Sequence, residues 1–95
     1  MILSFANTST QTERIWSGLR SKRLPPDIQK RSLDKLKILN RAKSIEDLRN
    51  PPSNHLEALK RDRQGQHSIR INDQWRICFR FKDGNAYDVE ITDYH

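Results

Sequence analysis

The groups in this sequence best suited to chemistry are two arginines, Arg70 and Arg76, and the closing tripeptide Asp93-Tyr94-His95. Guanidinium groups hold phosphate oxygens through paired hydrogen bonds, and imidazole, phenol and carboxylate groups can donate or accept protons. Together these groups could cleave a phosphodiester such as RNA without a metal ion. A terminal histidine is usually part of a frayed chain end, but this one directly follows a predicted core strand, which can hold it in place.

Apolar and polar residues alternate from Gln66 onward, and this alternation predicts the sheet that would position these groups. The apolar positions are Ile69, Ile71, Trp75, Ile77, Phe79, Phe81, Tyr87, Val89 and Ile91. A period of two is typical of a strand with one buried face, so we expect a three-stranded antiparallel meander that turns at Asn72-Asp73 and at Asp83-Gly84-Asn85. The second, polar face of this sheet is then open.

The register of the strands follows from the need to keep apolar side chains on one face, because a slip of one residue would invert every side chain. It predicts these opposed pairs: Ile71–Trp75, Ile69–Ile77, Arg70–Arg76, Phe81–Tyr87, Phe79–Val89, Arg80–Asp88 and Arg76–Thr92. On the polar face, Arg80–Asp88 is an ordinary cross-strand ion pair, and Tyr94 lies one pleat beyond Thr92.

The opposition of Arg70 and Arg76 needs an explanation, because like charges directly across a ladder are unfavourable. One interpretation is that the two guanidinium groups await an anion such as a phosphate. The alternative is that they turn into water or reach separate acids. Three further cations, Lys60, Arg61 and Arg63, are predicted on a loop at the edge of the sheet.

The helices that would cover the apolar face are predicted upstream. Met1–Phe5 has the pattern of a short strand, Thr8 to about Leu19 that of a helix, and a second helix begins after Pro25-Pro26. The second helix would bury Ile28, Leu33, Leu36 and Leu39. The second helix also carries five cations, which are better explained as part of a solvated face than as a surface that binds nucleic acid. These cations are Lys30, Arg31, Lys35, Lys37 and Arg41. Ser44-Ile45-Glu46-Asp47 has the spacing of a capping box at the start of a short helical turn. The expected fold class is α+β, with two N-terminal helices packed on one face of a small antiparallel sheet.

Composition limits the classes of protein to consider. A chain of 95 residues, 34% hydrophobic and 32% charged, has room for one domain, 1–95, with a small core. The net charge is +6, and the excess lies in residues 1–60, where twelve Lys and Arg face six Asp and Glu. This excess favours a polyanionic partner or an acidic protein. With one cysteine, Cys78, and no metal-binding spacing, we expect no metal or other cofactor, and without a membrane-length apolar run we expect a cytoplasmic protein.

Four stretches share a distinctive set of motifs: Leu-Glu-Ala-Leu-Lys-Arg-Asp-Arg-Gln-Gly at 56–65, Ser-Ile-Arg-Ile at 68–71, Gln-Trp-Arg-Ile-Cys-Phe at 74–79 and Asp-Tyr-His at 93–95. In this order and spacing they resemble the HigB toxins, also called plasmid-maintenance killer proteins, of the RelE/ParE superfamily. The resemblance covers roughly residues 54–95.

This resemblance implies a toxin of a type II toxin–antitoxin system with a RelE/ParE-like fold. It implies a ribosome-dependent, metal-independent endoribonuclease that cuts messenger RNA in the decoding site, and an antitoxin partner of the HigA group with a helix-turn-helix fold. The family's catalytic positions fall on Lys60, Arg76, Asp93, Tyr94 and His95. Arg70, Arg61 and Arg63 are added from the charge pattern as candidates for binding RNA phosphates.

One departure from the family concerns Glu57, which stands where some HigB toxins carry a catalytic histidine, three residues before Lys60. Either Glu57 takes a polar role in the site, or His95 carries more of the proton transfer, or activity is reduced. Two other functions remain open: a ParE-like poison that inhibits a protein such as DNA gyrase, and a nucleic-acid-binding module without catalysis. The clustered proton-transfer groups of the last three residues argue against the gyrase poison, and a test for RNA cleavage would distinguish a nuclease from the binding module.

Overall fold

The structure, a computed structural model, describes residues 1–7 and 10–93. Its helices are α1 (Thr10–Trp16) and α2 (Pro26–Arg41), and its strands are β1 (Glu57–Ala58), β2 (His67–Arg70), β3 (Trp75–Lys82) and β4 (Asn85–Asp93). Three 3-10 turns lie at Ile45–Arg49, Pro52–Asn54 and Arg61–Arg63. The chain is therefore α+β, with two helices and a four-stranded antiparallel sheet, and that part of the predicted fold is confirmed.

The strands lie side by side in chain order, β1-β2-β3-β4, and every neighbouring pair is antiparallel. A two-residue turn at Asp83-Gly84 joins β3 to β4, with φ angles of 52° and 78°. Positive φ at both positions is the geometry of the tight hairpin turn that suits the twist of a sheet. The sheet has one strand more than the meander expected from sequence, because the two residues of β1 pair with β2.

The core lies between the helices and one face of the sheet. The helices contribute Ile15, Ile28, Leu36 and Leu39, and the strands contribute Ile69, Ile77, Phe79, Val89 and Ile91. α1 packs on β4, and α2 packs on β3 and β4. α2 begins at Pro26, which suits a first helical position because a proline there loses no hydrogen bond. In the described part of the chain, no helix is long and apolar enough to cross a membrane.

The observed register matches the predicted one around Arg76 and differs from it by one residue toward the β3–β4 turn. Arg70 lies opposite Arg76, and Arg76 lies opposite Thr92, as expected. Arg80, however, lies opposite Tyr87 and not Asp88, because β3 and β4 are out of step between Cys78 and Arg80. Phe81 consequently faces Ala86 instead of Tyr87. Asp88 takes a left-handed φ of 52°, as residues in β-bulges can. The Arg80–Asp88 ion pair still forms, at 3.5 Å.

Four other expectations from the sequence were wrong. Lys35, predicted on a solvated helix face, is only 7% exposed. The first segment is not a regular strand, since Ile2 and Phe5 make isolated parallel bridges to β4. The polar face of the sheet is not fully open either, because Ser68 and Cys78 on that face are completely buried. α1 ends at Trp16, three residues before its predicted end.

Candidate active site

Arg70 and Arg76 stand side by side on the sheet face turned away from the helices, because their positions alternate with the core residues Ile69 and Ile77. They border a cleft of about 340 Å³. We name it the arginine cleft, and its lining residues are His55, Glu57, Arg70, Asn72, Asp73 and Arg76. Strands β2 and β3 supply the arginines, the β2–β3 turn supplies Asn72 and Asp73, and the segment before β2 supplies His55 and Glu57.

Arg76 is fixed in place by several hydrogen bonds and is only 12% exposed. Its Nε donates to the hydroxyl of Ser68 at 2.7 Å, and its Nη2 donates to the carbonyl oxygen of His55 at 2.5 Å. The carboxylate of Glu57 lies 3.7 Å from the same Nη2. A guanidinium group held in this way loses little entropy when an anion binds, so it is preorganised to stabilise charge on a substrate.

Each arginine has its own acidic partner, as the alternative of separate acids predicted. Arg70 pairs with Asp73 and Arg76 with Glu57. Both carboxylates are solvated, since the side chains of Asp73 and Glu57 are 94% and 54% exposed. Because the acidic partner of each pair is solvated, these pairs contribute less free energy than fully buried ones. An incoming phosphate can therefore replace either carboxylate at small cost, and both interpretations of the arginine pair are compatible with the geometry.

The loop between β1 and β2 crosses the polar face of the sheet. Arg63, in this loop, forms an ion pair of 2.8 Å with Glu90 on β4, at the far edge from β1. Beneath this crossing, the Cys78 thiol is completely buried. Burial raises the pKa of Cys78, and this effect is only partly offset by the nearby Thr92 hydroxyl and by the charges of Arg63 and Arg76. Cys78 is thus a protonated core residue and no nucleophile.

The other predicted residues of this loop lie outside the arginine cleft. Lys60 immediately precedes the 3-10 turn, and Lys60 and Arg61 are both exposed to solvent. Arg63 is committed to Glu90 and also donates to the side chain of Gln66 at 3.2 Å. Arg63 therefore holds the loop across the sheet, while Lys60 and Arg61 are free to approach a large ligand.

Asp93 is the last residue that the structure describes. It lies opposite Trp75, and its Oδ2 accepts a hydrogen bond of 3.0 Å from the side-chain amide of Gln74. Neighbouring residues of a strand point to opposite faces of the sheet, so Asp93 and Thr92 lie on opposite faces. Because Thr92 is the residue opposite Arg76, the structure does not bring Asp93 together with Arg76. Tyr94 and His95 lie outside the described residues.

His55 is a site residue that the sequence analysis missed. It takes a left-handed conformation, with φ 43°, after the 3-10 turn Pro52–Asn54, and it lines the arginine cleft. This position follows from the path of a loop without periodicity, so no pattern in the sequence could reveal it. No group of three or more metal-binding side chains is found within residues 1–7 and 10–93.

The fold and sequence both match known toxins. The chain can be superposed on the YoeB–YefM complex from Staphylococcus aureus with a TM-score of 0.64 and 19% identity, covering 100% of this chain and 95% of that one. A heterotetrameric YoeB–YefM toxin–antitoxin complex from the same organism matches equally well.

Relatives in sequence are closer. Toxin HigB-1 of Vibrio cholerae is 40% identical over 72 residues, 76% of each chain. Endoribonuclease HigB of Proteus vulgaris is 40% identical over 62 residues, 65% of this chain and 66% of that protein. The profile of the HigB-like family, described as RelE-like toxins of type II toxin–antitoxin systems, matches residues 8–95. The chain therefore belongs to the HigB-like toxin family.

Proposed function

We propose that this toxin is an endoribonuclease that cuts messenger RNA in the decoding site of the ribosome, with residues 1–95 acting as a single domain. The observation that carries the proposal is the arginine cleft, where Arg70 and Arg76 share one open site with His55 and Glu57. A cleft with two guanidinium groups and solvated carboxylates suits a phosphodiester. Membership of the HigB-like family adds the substrate class, since a relative is named an endoribonuclease.

The reaction we assign is attack by a ribose 2′-oxygen on the adjacent phosphorus. The new bond closes a 2′,3′-cyclic phosphate, the bond from phosphorus to the 5′-oxygen breaks, and the second product carries a free 5′-hydroxyl. The 2′-hydroxyl gives its proton to a base, for which we propose His95 or Asp93. The leaving 5′-oxygen takes a proton from an acid, for which we propose the imidazolium of His55.

Charge on the phosphate increases during attack, and the fixed guanidinium of Arg76 is the group that would stabilise it. We propose that Arg70 and Lys60 help to stabilise the same charge. Tyr94 would orient the substrate, and Arg61 would contact RNA phosphates outside the cleft. Glu57 keeps the Nη2 of Arg76 in position between turnovers, at 3.7 Å. No metal or other cofactor takes part in this scheme.

The partners that we propose are the translating ribosome and an antitoxin of the HigA type with a helix-turn-helix fold. The YoeB structures that share this fold are complexes with the antitoxin YefM. A net charge of +6 favours both ribosomal RNA and an acidic segment of an antitoxin. Because translation takes place in the cytoplasm, we propose a cytoplasmic location for the toxin.

The test is primer extension on a defined message after incubation with the purified toxin, with and without translating ribosomes. We expect cuts within codons only when ribosomes translate, with cyclic-phosphate and 5′-hydroxyl ends. Arg76→Ala should lose the cuts, and Arg80→Ala, whose partner is Asp88 on the same sheet, should keep them. Loss of DNA supercoiling by gyrase in the presence of toxin, without any RNA cleavage, would show a ParE-like poison instead and would refute the proposal.

A further inference from the structure

A second cleft, of about 260 Å³, continues from the arginine cleft toward helix α2. The two clefts share His55, Arg70, Asn72 and Asp73. The second one adds Arg31 and Lys35 from α2 and Ser53 from the 3-10 turn before β1. We name it the lysine cleft. Because four residues line both, the clefts form one groove that runs from Arg76 to Arg31.

Lys35 is the unusual member of this groove. It is only 7% exposed, and its ammonium group donates to the Asn54 side-chain oxygen at 2.6 Å and to the Ser53 hydroxyl at 3.2 Å. Within the described residues, no carboxylate lies within 4.0 Å of Lys35 or of Arg31. A nearly buried cation whose partners are all neutral is costly for the folded protein, and paired charges are the rule at such positions.

The balance of charge along the groove also favours an anion. Arg31, Lys35, Arg70 and Arg76 supply four cations, and Glu57 and Asp73 supply two carboxylates, of which Asp73 lines both clefts and is paired with Arg70. Burial and the charge of Arg31 lower the pKa of Lys35, so these two cations, which lie one turn apart on α2, repel each other. A bound anion would relieve this repulsion and replace the missing counter-charge.

We propose that the lysine cleft is a binding site for the RNA phosphate adjacent to the one that is cleaved. An RNA strand that lies along the groove presents successive phosphates at neighbouring positions. Arg70, which lines both clefts, lies between these two positions. The site rests on the proposed nuclease function, because it assumes that the scissile phosphate occupies the arginine cleft. It gives Arg31 and Lys35 a role that a solvated helix face does not have.

The experiment combines a change in the protein with a change in the RNA. Messages are synthesised with a neutral methylphosphonate in place of the phosphate on the 5′ or the 3′ side of the cleaved one. Cleavage rates on programmed ribosomes are measured for the wild-type toxin and for Arg31→Gln, which alters an exposed side chain and should not disturb folding. Lys37→Gln, a charge loss at an exposed position of the same helix outside both clefts, is the matched control.

We expect one of the two neutral substitutions to slow the wild-type toxin about tenfold, which is typical for loss of one charge-assisted hydrogen bond. The same substitution should have little further effect on Arg31→Gln, which should already be slow, whereas Lys37→Gln should respond as the wild type does. Lys35→Met should resemble Arg31→Gln if it folds.

Three outcomes would overturn the assignment. If the wild-type toxin is insensitive to both neutral substitutions, or if their effects multiply with that of Arg31→Gln, then no phosphate occupies the lysine cleft. In either case, normal cleavage of the unmodified message would leave the proposed nuclease function intact. If Arg31→Gln weakens only antitoxin binding and cuts every message normally, the cleft takes an acidic protein segment. A wild-type toxin that fails to cut the unmodified message refutes the proposed function itself.

Discussion

The ion pair between Arg63 and Glu90 gives the sharpest prediction about how the β1–β2 loop works. It can be compared with the pair between Arg49 and Glu46, since both pairs have an N–O distance of 2.8 Å. The side chains of Arg63 and Glu90 are 33% and 19% exposed, whereas those of Arg49 and Glu46 are 62% and 73% exposed. Exposed pairs contribute about 0–1 kcal/mol, and breaking fully buried pairs costs about 3–5 kcal/mol.

Arg63→Met should therefore cost about 1–3 kcal/mol, between these limits, and Arg49→Met less than about 0.5 kcal/mol. In a domain of this size, 1 kcal/mol shifts the melting temperature by roughly 4–8 °C. Thermal unfolding followed by circular dichroism should show Arg63→Met melting about 5–20 °C below the wild type, with Arg49→Met nearly unchanged.

Cleavage assays then separate a positioning role from direct binding of RNA by Arg63. If Arg63 holds the loop, Glu90→Gln should slow cleavage as Arg63→Met does, and the double variant should be no slower than either single one. If Arg63 binds RNA, Glu90→Gln frees its guanidinium and should leave cleavage unchanged or faster. That second result would show that our assignment of Arg63 to the support of the loop is wrong.

Four further predictions follow from the site. Arg76→Ala should lower the cleavage rate by about 10²–10³-fold, and Arg80→Ala should be mild, measured by message cleavage at matched folding; a larger effect of Arg80→Ala would contradict the assigned register. Removing Tyr94 and His95 should abolish cleavage and leave the melting temperature nearly unchanged, because both residues follow the last core residue, Ile91; full activity of the shortened protein would exclude them from catalysis. His55→Gln should slow cleavage by about 10²–10⁴-fold, whereas a rate equal to the wild type would remove His55 from the acid role. The pKa of Lys35 is lowered in the folded protein, so folded molecules release this proton at a lower pH than unfolded ones. The free energy of unfolding should therefore rise with pH between the folded-state pKa and the ordinary lysine value. Urea titrations should show a shallower rise for Lys35→Met, and equal slopes would show that Lys35 titrates normally.

Much of the sheet could be predicted from the sequence because its signals are local. Alternation of apolar residues fixes which side chains share a face, so the opposition of Arg70 and Arg76 followed from Ile69 and Ile77 alone. The family was also identified correctly, since its motifs are short and distinctive. Positions that follow from the periodicity of the strands were thus predicted correctly.

The failures have a common physical cause, which is that a loop or a bulge breaks the period. The irregularity between Cys78 and Arg80 shifted the end of the β3–β4 pairing, and nothing in the alternating pattern marks it. Lys35 was misplaced because Asn54, which binds its ammonium group, arrives from a segment nineteen residues away. His55 and Arg63 owe their positions to similar long-range contacts, which a single sequence does not encode as a pattern.

The pairing of residues 1–6 with β4 determines how another chain can approach the sheet. The backbone nitrogens of Ala86 and Val89 donate to Met1 and Ser4, and that of Ile91 donates to the hydroxyl of Thr12 at 2.8 Å. Open strand edges recruit strands from other molecules, which leads to aggregation or to strand addition by a partner. Here the long edge is already occupied, and the opposite edge, β1, has only two residues. A polypeptide that neutralises this toxin must therefore engage side chains on its faces, and self-association through the sheet is disfavoured.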